Sequence, residues 1–210
     1  MTGTTPDQAM PGISAILLAA GESTRMGRLK ALLSWQGSTL IEYQVQSLSE
    51  AGVGEIVVVV GHRGDEVRAR VEEISGVIVA PNPDYWQGKT ISIKTGLRHL
   101  TSTAEGVLVL AVDQPRPASI LRALIKAHVQ SGSPITCPVF HGRSGHPIIF
   151  TAALLPELMA ITEQGEGLRA VSRRYREQTN RIEVGSPIVT LDVNSPQDVE
   201  QAVRLFQEIA

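Results

Sequence analysis

Residues 18–30, which read LAAGESTRMGRLK, combine the residue types that bind phosphates. Gly21 permits a positive φ and a close approach of the backbone to a ligand, and Ser23 offers a hydroxyl group and an amide. Arg25 and Lys30 add two positive charges that can donate charge-assisted hydrogen bonds to phosphate oxygens. The segment therefore suggests a cradle for a polyphosphate. The alternative, from residue types alone, is an ordinary strand-to-helix turn whose cations face solvent.

The spacing within this segment excludes two common phosphate-binding loops. A Walker A loop requires Gly-Lys followed by Ser or Thr, whereas Gly27 is followed by Arg28. A dinucleotide-binding turn requires the pattern G-x-G-x-x-G, which Ala20 and Glu22 interrupt. A nucleotide bound here would be held by a different loop geometry.

Oxygen-bearing side chains lie where two further apolar segments end. Asp113 follows the apolar residues 107–112, and a carboxylate buried there is costly unless it meets a cation or a hydrogen-bond donor. Asp192 and Asn194 would point to the same side at the end of a predicted strand over residues 188–193. If the two strands are neighbours, these oxygens and those of a triphosphate form a site suited to Mg²⁺. A helix-capping role for Asp113 and a loop role for Asn194 are the alternatives.

Apolar strand-like segments alternate with helix-like segments along most of the chain. This alternation predicts an α/β fold, a three-layer α/β/α Rossmann-like arrangement with a mostly parallel mixed sheet. A hairpin within residues 135–150 would shape one wall of the cleft. We predict one domain over residues 13–210, preceded by a flexible tail over residues 1–12. The predicted strands are 13–19, 56–60, 77–80, 107–112, 135–140, 146–150 and 188–193. One helix is predicted to begin at about residue 40. The other predicted helices cover residues 64–74, 91–100, 118–130, 151–161, 167–175 and 195–209.

Composition narrows the class of protein. The 210 residues are 42% hydrophobic and carry a net charge of −2, which supports a packed core and gives no general attraction to nucleic acid or an anionic membrane. The single cysteine, Cys137, excludes an internal disulfide and a cysteine-rich metal site. No secretory signal and no apolar run of membrane-spanning length is present, so we expect a cytoplasmic protein. Cys137, Trp35 and Trp86 are interpreted as packing residues.

The segment 18–30 closely resembles the opening motif of nucleotidyltransferases with a MobA-like fold, and most closely that of the molybdenum cofactor cytidylyltransferases. The family pattern is L-A-[AG]-G-x-[SG]-x-R-M-G-x-x-K, which this chain matches at every specified position. Residues 87–97, 110–115, 142–150 and 191–199 resemble further family motifs. Lys89, where the family usually has Met, and Ile91 and Lys94 depart from the motif that lines the base pocket. The segment 166–169 lacks the aspartate of its family counterpart.

The resemblance implies an Mg²⁺-dependent nucleotidyltransferase that moves CMP from CTP to the terminal phosphate of molybdopterin and releases pyrophosphate. A client molybdoenzyme would then receive the product. The implied catalytic residues are Arg25, Lys30 and Asp113, and the implied metal ligands are Asp113, Asn194 and Asp192. Nucleotide contacts are implied for Leu18, Ala19, Ala20, Gly21, Ser23, Arg25, Lys30, Ser92 and Asp113. Acceptor contacts are implied for Arg143, His146 and Arg169.

Two alternatives to this function remain open at the level of the sequence. Ala20 stands where guanylyl members of the family tend to carry glycine, and its methyl group narrows the space for a purine. One residue separates CTP from GTP on this reading, so a guanylyltransferase or a transferase for another phosphorylated acceptor is the first alternative. The second is a non-catalytic protein that binds the cofactor and delivers it.

Overall fold

The computed structural model describes residues 12–101 and 104–209, and the predicted tail therefore lies almost wholly outside the described residues. The described strands are β1 (Ile13–Ala19), β2 (Ser34–Trp35), β3 (Ser38–Thr39), β4 (Glu55–Val60), β5 (Val77–Pro81), β6 (Gly106–Ala111), β7 (Ile135–Phe140), β8 (Arg143–Ser144), β9 (Ile148–Thr151) and β10 (Thr179–Glu183). The described α-helices are α1 (Leu40–Glu50), α2 (Gly64–Val71), α3 (Lys89–Arg98), α4 (Ala118–Ser131), α5 (Leu155–Ala160), α6 (Leu168–Arg174) and α7 (Pro196–Ile209).

The main sheet has the strand order β10-β7-β9-β6-β1-β4-β5, with β8 paired to β7. Strand β9 is antiparallel to its neighbours β6 and β7, whereas the pairs β6–β1, β1–β4, β4–β5 and β7–β10 are parallel. Strand β4 is nearly continuous valine and buried on both faces, as a central parallel strand must be. The predicted mixed, mostly parallel sheet is confirmed, including the antiparallel excursion over residues 135–150.

Helices cover both faces of the sheet. Ala15 and Leu17 of β1 pack in a core with α1, α2, α4 and α7, whereas Ile16 and Leu18 pack in a second core with α3, α5 and α6. This alternation confirms the three-layer α/β/α arrangement. Gly96 allows helix α3 to lie close against the sheet. A Cβ at this position would come to 2.5 Å from the Ile16 side chain.

The last helix begins as its sequence predicts. The Ser195 hydroxyl accepts a hydrogen bond from the Asp198 amide at 3.3 Å, and the Asp198 carboxylate accepts one from the Ser195 amide at 2.8 Å. Such a reciprocal capping box satisfies amides that have no partner within the helix. This cap fixes the chain direction immediately after Asn194.

One sequence prediction about secondary structure is wrong, and the strand β10 has no counterpart among the predicted strands. Residues 188–193 form no strand: Pro187–Thr190 is a 3-10 helix, and the Ser186 hydroxyl accepts a hydrogen bond from the Ile188 amide at its start. Ile188 and Val189 are fully buried, so their apolar character reflects packing rather than strand pairing. Conversely, β10 has the polar sequence TNRIE, which gives no apolar signal for a strand. It can be polar because it lies at the edge of the sheet, where it pairs with β7 on one side.

The three residues interpreted as packing residues differ in their surroundings. Trp35 is buried against Tyr43 and Phe206 in edge-to-face contacts, and Cys137 is buried in β7. Burial raises the pKa of the Cys137 thiol, which disfavours a nucleophilic thiolate. Trp86 is instead 70% exposed, so its packing role is wrong. Among the described residues, no helix is long and apolar enough to cross a membrane.

Candidate active site

A cleft of about 290 Å³ opens where β1 and β6 end, at the edge of the sheet where α/β folds bind ligands. The sequence-predicted nucleotide-binding residues, apart from Arg25, all line this cleft. They are Leu18, Ala19, Ala20, Gly21, Ser23, Lys30, Ser92 and Asp113. Residues that lie 95 positions apart in the sequence are thus brought to one cavity by the parallel pairing of β1 with β6.

The glycine loop is held by its own turn and by its neighbours. Ser23 has a φ of 57° and begins a 3-10 turn, Thr24–Met26, that ends at Gly27 with a φ of 65°. The Ser23 hydroxyl accepts a hydrogen bond from the Lys30 amide at 3.0 Å, which closes the loop. Gly21 does not adopt the positive φ that glycine permits, but the space beside its Cα is open to a ligand, since a Cβ there would meet nothing within 4 Å. Arg25 lies in the turn, and its side chain is not among those described.

The Lys30 ammonium group joins Asp113, which lines the cleft, to Asn194 in the segment that leads into α7. Its Nζ donates to Asp113 Oδ2 at 2.8 Å and to Asn194 Oδ1 at 2.7 Å. The backbone holds the same segments together, because the Val193 amide donates to the Asp113 carbonyl at 2.7 Å. The predicted meeting of Asp113 and Asn194 is therefore found, although no strand carries Asn194.

The Asp113 carboxylate and the Asn194 amide oxygen converge on the Lys30 ammonium, and the same point suits a hard cation once Lys30 turns to a bound phosphate. Both oxygens lie within hydrogen-bonding distance of a single ammonium nitrogen. No group of three or more His, Cys, Asp or Glu side chains among the described residues could hold a metal by itself. Two protein oxygens completed by phosphate oxygens and water match the usual Mg²⁺ site of nucleotide-binding enzymes. The donor set therefore fits a metal that arrives together with a nucleotide.

Asp192 belongs to a neighbouring network rather than to the contacts of Lys30. Its Oδ1 accepts a hydrogen bond from Gln114 Nε2 at 2.8 Å. The Gln114 carbonyl in turn accepts from the buried Gln44 side chain at 2.7 Å, and Gln44 Oε1 accepts from the Arg116 amide at 3.2 Å. Asp192 therefore ties its segment to the chain that follows Asp113.

Arg116 holds the same segments from beneath and was not singled out by the sequence. Its side chain is fully buried and donates five hydrogen bonds to four backbone carbonyls, those of Pro115, His146, Val189 and Leu191. Burial lowers the pKa of Arg116 to about 9, partly offset by the charges of Asp192 and Asp113, so the guanidinium stays charged at pH 7. The only available signal was an arginine between two prolines directly after a buried strand.

A second cleft, of about 420 Å³, adjoins the first and contains part of the predicted acceptor site. His146 and Arg169 line it, whereas Arg143 is exposed on β8 and is not among its lining residues. Glu163 reaches across this cleft to the first turn of α3, where its carboxylate accepts from the Thr90 amide at 2.6 Å. Two of the three predicted acceptor residues are thus brought together.

His146 is uncharged in the folded protein near neutral pH. The pKa of its imidazole is lowered from 6.5 to about 4, chiefly by burial and then by the charges of Lys89 and Arg116, while Asp192 and Asp113 oppose the shift. A neutral imidazole can accept or donate a hydrogen bond, but it adds no positive charge to the cleft. An anion bound here must find its charge partner elsewhere.

This depressed pKa predicts a measurable loss of stability in mild acid. Protonation of His146 favours the unfolded chain, where the pKa is near 6.5, so its contribution is complete above pH 6.5 and falls as the pH drops toward 4. We expect the free energy of unfolding to fall by about 2 kcal/mol between pH 6.5 and 5 through this residue. Urea denaturation of the wild type and of His146→Gln at several pH values tests it. Since His128 titrates in both proteins, equal slopes would refute the assignment to His146.

Comparison with known proteins identifies relatives of this arrangement. The family model described as the MobA-like NTP transferase domain matches residues 15–179. The molybdenum cofactor cytidylyltransferase of Escherichia coli K12 is 27% identical over 205 residues, which cover 95% of this chain and 100% of that protein. The nicotine blue oxidoreductase of Paenarthrobacter nicotinovorans is 29% identical over 215 residues, which cover 95% of this chain and 99% of that protein. These two relatives are about equally similar to the chain and are named for different activities.

Similarity of fold extends to solved structures. A nucleotidyl transferase from Methanothermobacter superposes with a TM-score of 0.79 and 24% identity, covering 94% of this chain and 99% of that chain. This likeness supports the α/β fold deduced from the strand order.

Proposed function

Because the chain belongs to the MobA-like NTP transferase family, and is thereby a nucleotidyltransferase, we propose that it transfers CMP from CTP to the terminal phosphate of molybdopterin. One observation carries this proposal: Lys30 and Asp113 line the same cleft as the glycine loop, and the Lys30 ammonium bridges Asp113 to Asn194. A triphosphate is bound by positive side chains together with a metal ion. Lys30 supplies the positive charge, and Asp113 and Asn194 supply oxygens that can bind a metal. The cytidylyltransferase named above, aligned along nearly the whole chain, supports the choice of reaction.

The reaction needs positioning and charge rather than a protein nucleophile. An oxygen of the acceptor phosphate attacks the α-phosphorus of the nucleotide, the bond between the α- and β-phosphates breaks, and pyrophosphate leaves. The acceptor phosphate is already anionic near pH 7, so no general base is required. Lys30, together with Arg25 from the same loop, would bind the triphosphate oxygens. Asp113 and Asn194 would hold a magnesium ion, which would supply positive charge that offsets the charge of the phosphates.

The shape of the nucleotide cleft supports a pyrimidine. Ala20 is 5% exposed, lines the cleft, and is held in place because its carbonyl accepts a hydrogen bond from the His62 amide at 3.1 Å. The methyl group of Ala20 cannot swing aside, since it is attached to this fixed backbone. A purine would need the volume that this methyl group fills.

A panel of nucleotides tests the proposal. With Mg²⁺ and molybdenum-loaded molybdopterin, pyrophosphate release is expected with CTP and at a much lower rate with GTP, ATP or UTP. In Ala20→Gly, we expect the ratio of kcat/KM for GTP to that for CTP to rise about tenfold, the usual effect of one methyl group in a pocket. Ala31→Gly, which removes a methyl group from another wall of the same cleft, should leave this ratio unchanged.

The panel also distinguishes the alternatives. Release with GTP in the wild type would keep the mechanism and refute the role of Ala20. Tight binding of CTP without pyrophosphate release, whichever phosphorylated acceptor is added, would instead favour a delivery protein.

A further inference from the structure

Lys89 lies at the corner where the two clefts meet. It is the first residue of α3 and lines both the nucleotide cleft and the second cleft. Its side chain is exposed, and no salt bridge between described residues includes it. Where the resembling family has an uncharged Met, this chain therefore places a cation between its two binding sites.

Lys89 is one of the main sources of positive charge in the second cleft. Glu163 is held by the Thr90 amide, and Glu166 forms an ion pair with Arg173 at 2.7 Å. His146, which lines the same cleft as Lys89, is neutral at pH 7, chiefly through burial. Among the described residues that line this cleft, Lys89 and Arg169 are the lysine and arginine side chains.

We propose that Lys89 binds the attacking phosphate of the acceptor, and this inference rests on the proposed function. The attacking phosphate must leave the second cleft and approach the α-phosphate of the nucleotide, and these two anions repel each other. A flexible ammonium group that reaches both clefts offsets this repulsion along the path. The substrate class that Lys89 selects is an acceptor with a terminal phosphate, in preference to one that ends in an uncharged hydroxyl group.

Binding of inorganic phosphate tests this role without turnover. Its dissociation constant is measured by ³¹P NMR for the wild type, Lys89→Met and Lys89→Arg, with and without a non-hydrolysable α,β-methylene analogue of CTP. Lys94→Met is the matched control, because Lys94 lies on the same helix and lines neither cleft. We expect Lys89→Met to weaken phosphate binding about tenfold, and Lys89→Arg and Lys94→Met to stay within about threefold of the wild type.

Turnover provides the second readout. In Lys89→Met the KM for the acceptor is expected to rise about tenfold while the KM for CTP changes less than about threefold. Equal phosphate affinity in the wild type and Lys89→Met, or an equal loss in Lys94→Met, would overturn the inference. Absence of pyrophosphate release from the wild type would refute the proposed function, and the phosphate titration would still decide the role of Lys89.

Discussion

Replacing Asp113 with Asn is expected to lower the rate of pyrophosphate release about 10³-fold while the protein stays folded. The substitution keeps the size of the side chain and removes the charge that faces Lys30 at 2.8 Å. The backbone contact survives, because the Val193 amide donates to the carbonyl of residue 113 and not to its carboxylate. The expected loss therefore comes from weaker metal and nucleotide binding in the transition state.

Asp192→Asn is the matched control for Asp113→Asn, because it removes a second carboxylate from the same region. Asp192 lies two residues before Asn194, but its carboxylate accepts a hydrogen bond from Gln114, whereas Lys30 donates to Asp113 and Asn194. We expect a loss of no more than about tenfold, because an amide at this position can still accept that hydrogen bond. Losses of similar size in both variants would mean that the two carboxylates share the metal.

A binding measurement separates metal loss from other causes. Mn²⁺ can stand in for Mg²⁺, and its binding to the CTP-saturated protein is followed by electron paramagnetic resonance. Asp113→Asn should weaken Mn²⁺ binding at least about tenfold and leave the urea midpoint within experimental error of the wild type. Near-normal turnover in Asp113→Asn would contradict the assignment of Asp113 to the metal site.

The fold could be read from the sequence where burial and secondary structure agree. β1, β4 and β6 are apolar on both faces, which is the pattern of central parallel strands, and each was predicted to within about one residue. The segment over residues 188–193 carries the same apolar pattern for another reason. Pro187 begins a 3-10 helix whose side chains fill the core, and apolar runs do not distinguish this from a strand.

The cleft was predictable because strand ends fix where side chains meet. The glycine loop follows β1 and Asp113 follows β6, and neighbouring parallel strands end at the same edge of a sheet. Arg143 illustrates what the sequence omits: it is close to His146 in the sequence, but it is exposed in β8 and does not line the second cleft. Which of two nearby side chains lines a cleft depends on loop geometry that residue spacing does not encode.

Arg116→Met is expected to reduce the free energy of unfolding by about 3 kcal/mol and the Tm by about 6–12 °C. Methionine fills much of the volume of the arginine but donates no hydrogen bond. The carbonyls of Pro115, His146, Val189 and Leu191 would lose the hydrogen bonds that the guanidinium donates to them. Buried acceptors without donors are costly, and the loss is larger than the gain from removing a buried charge because four separate groups depend on one side chain.

Two further substitutions isolate the cause. Arg122→Met changes an exposed arginine on α4, whose side chain bonds the Glu50 carbonyl, and should alter stability by no more than about 0.5 kcal/mol. Arg116→Lys keeps the charge but not the planar fork, so it should be nearly as destabilised as Arg116→Met. Thermal denaturation and urea midpoints of the three variants measure this. If Arg116→Lys has wild-type stability, charge alone suffices and the carbonyl contacts are not what holds the segments.

The position of Arg116 also links stability to the site. The carbonyls it binds lie in the segment after Asp113, in the segment that carries His146 and in the segment that leads to Asn194. A looser arrangement should therefore separate Asp113 from Asn194 before the protein unfolds. At a temperature where Arg116→Met remains folded, we expect weaker Mn²⁺ binding in the presence of CTP together with a lower kcat. Unchanged Mn²⁺ binding in a folded but destabilised Arg116→Met would show that Arg116 is not needed to position the two metal ligands. The Val193–Asp113 backbone hydrogen bond and the capped start of α7 would then suffice to position them.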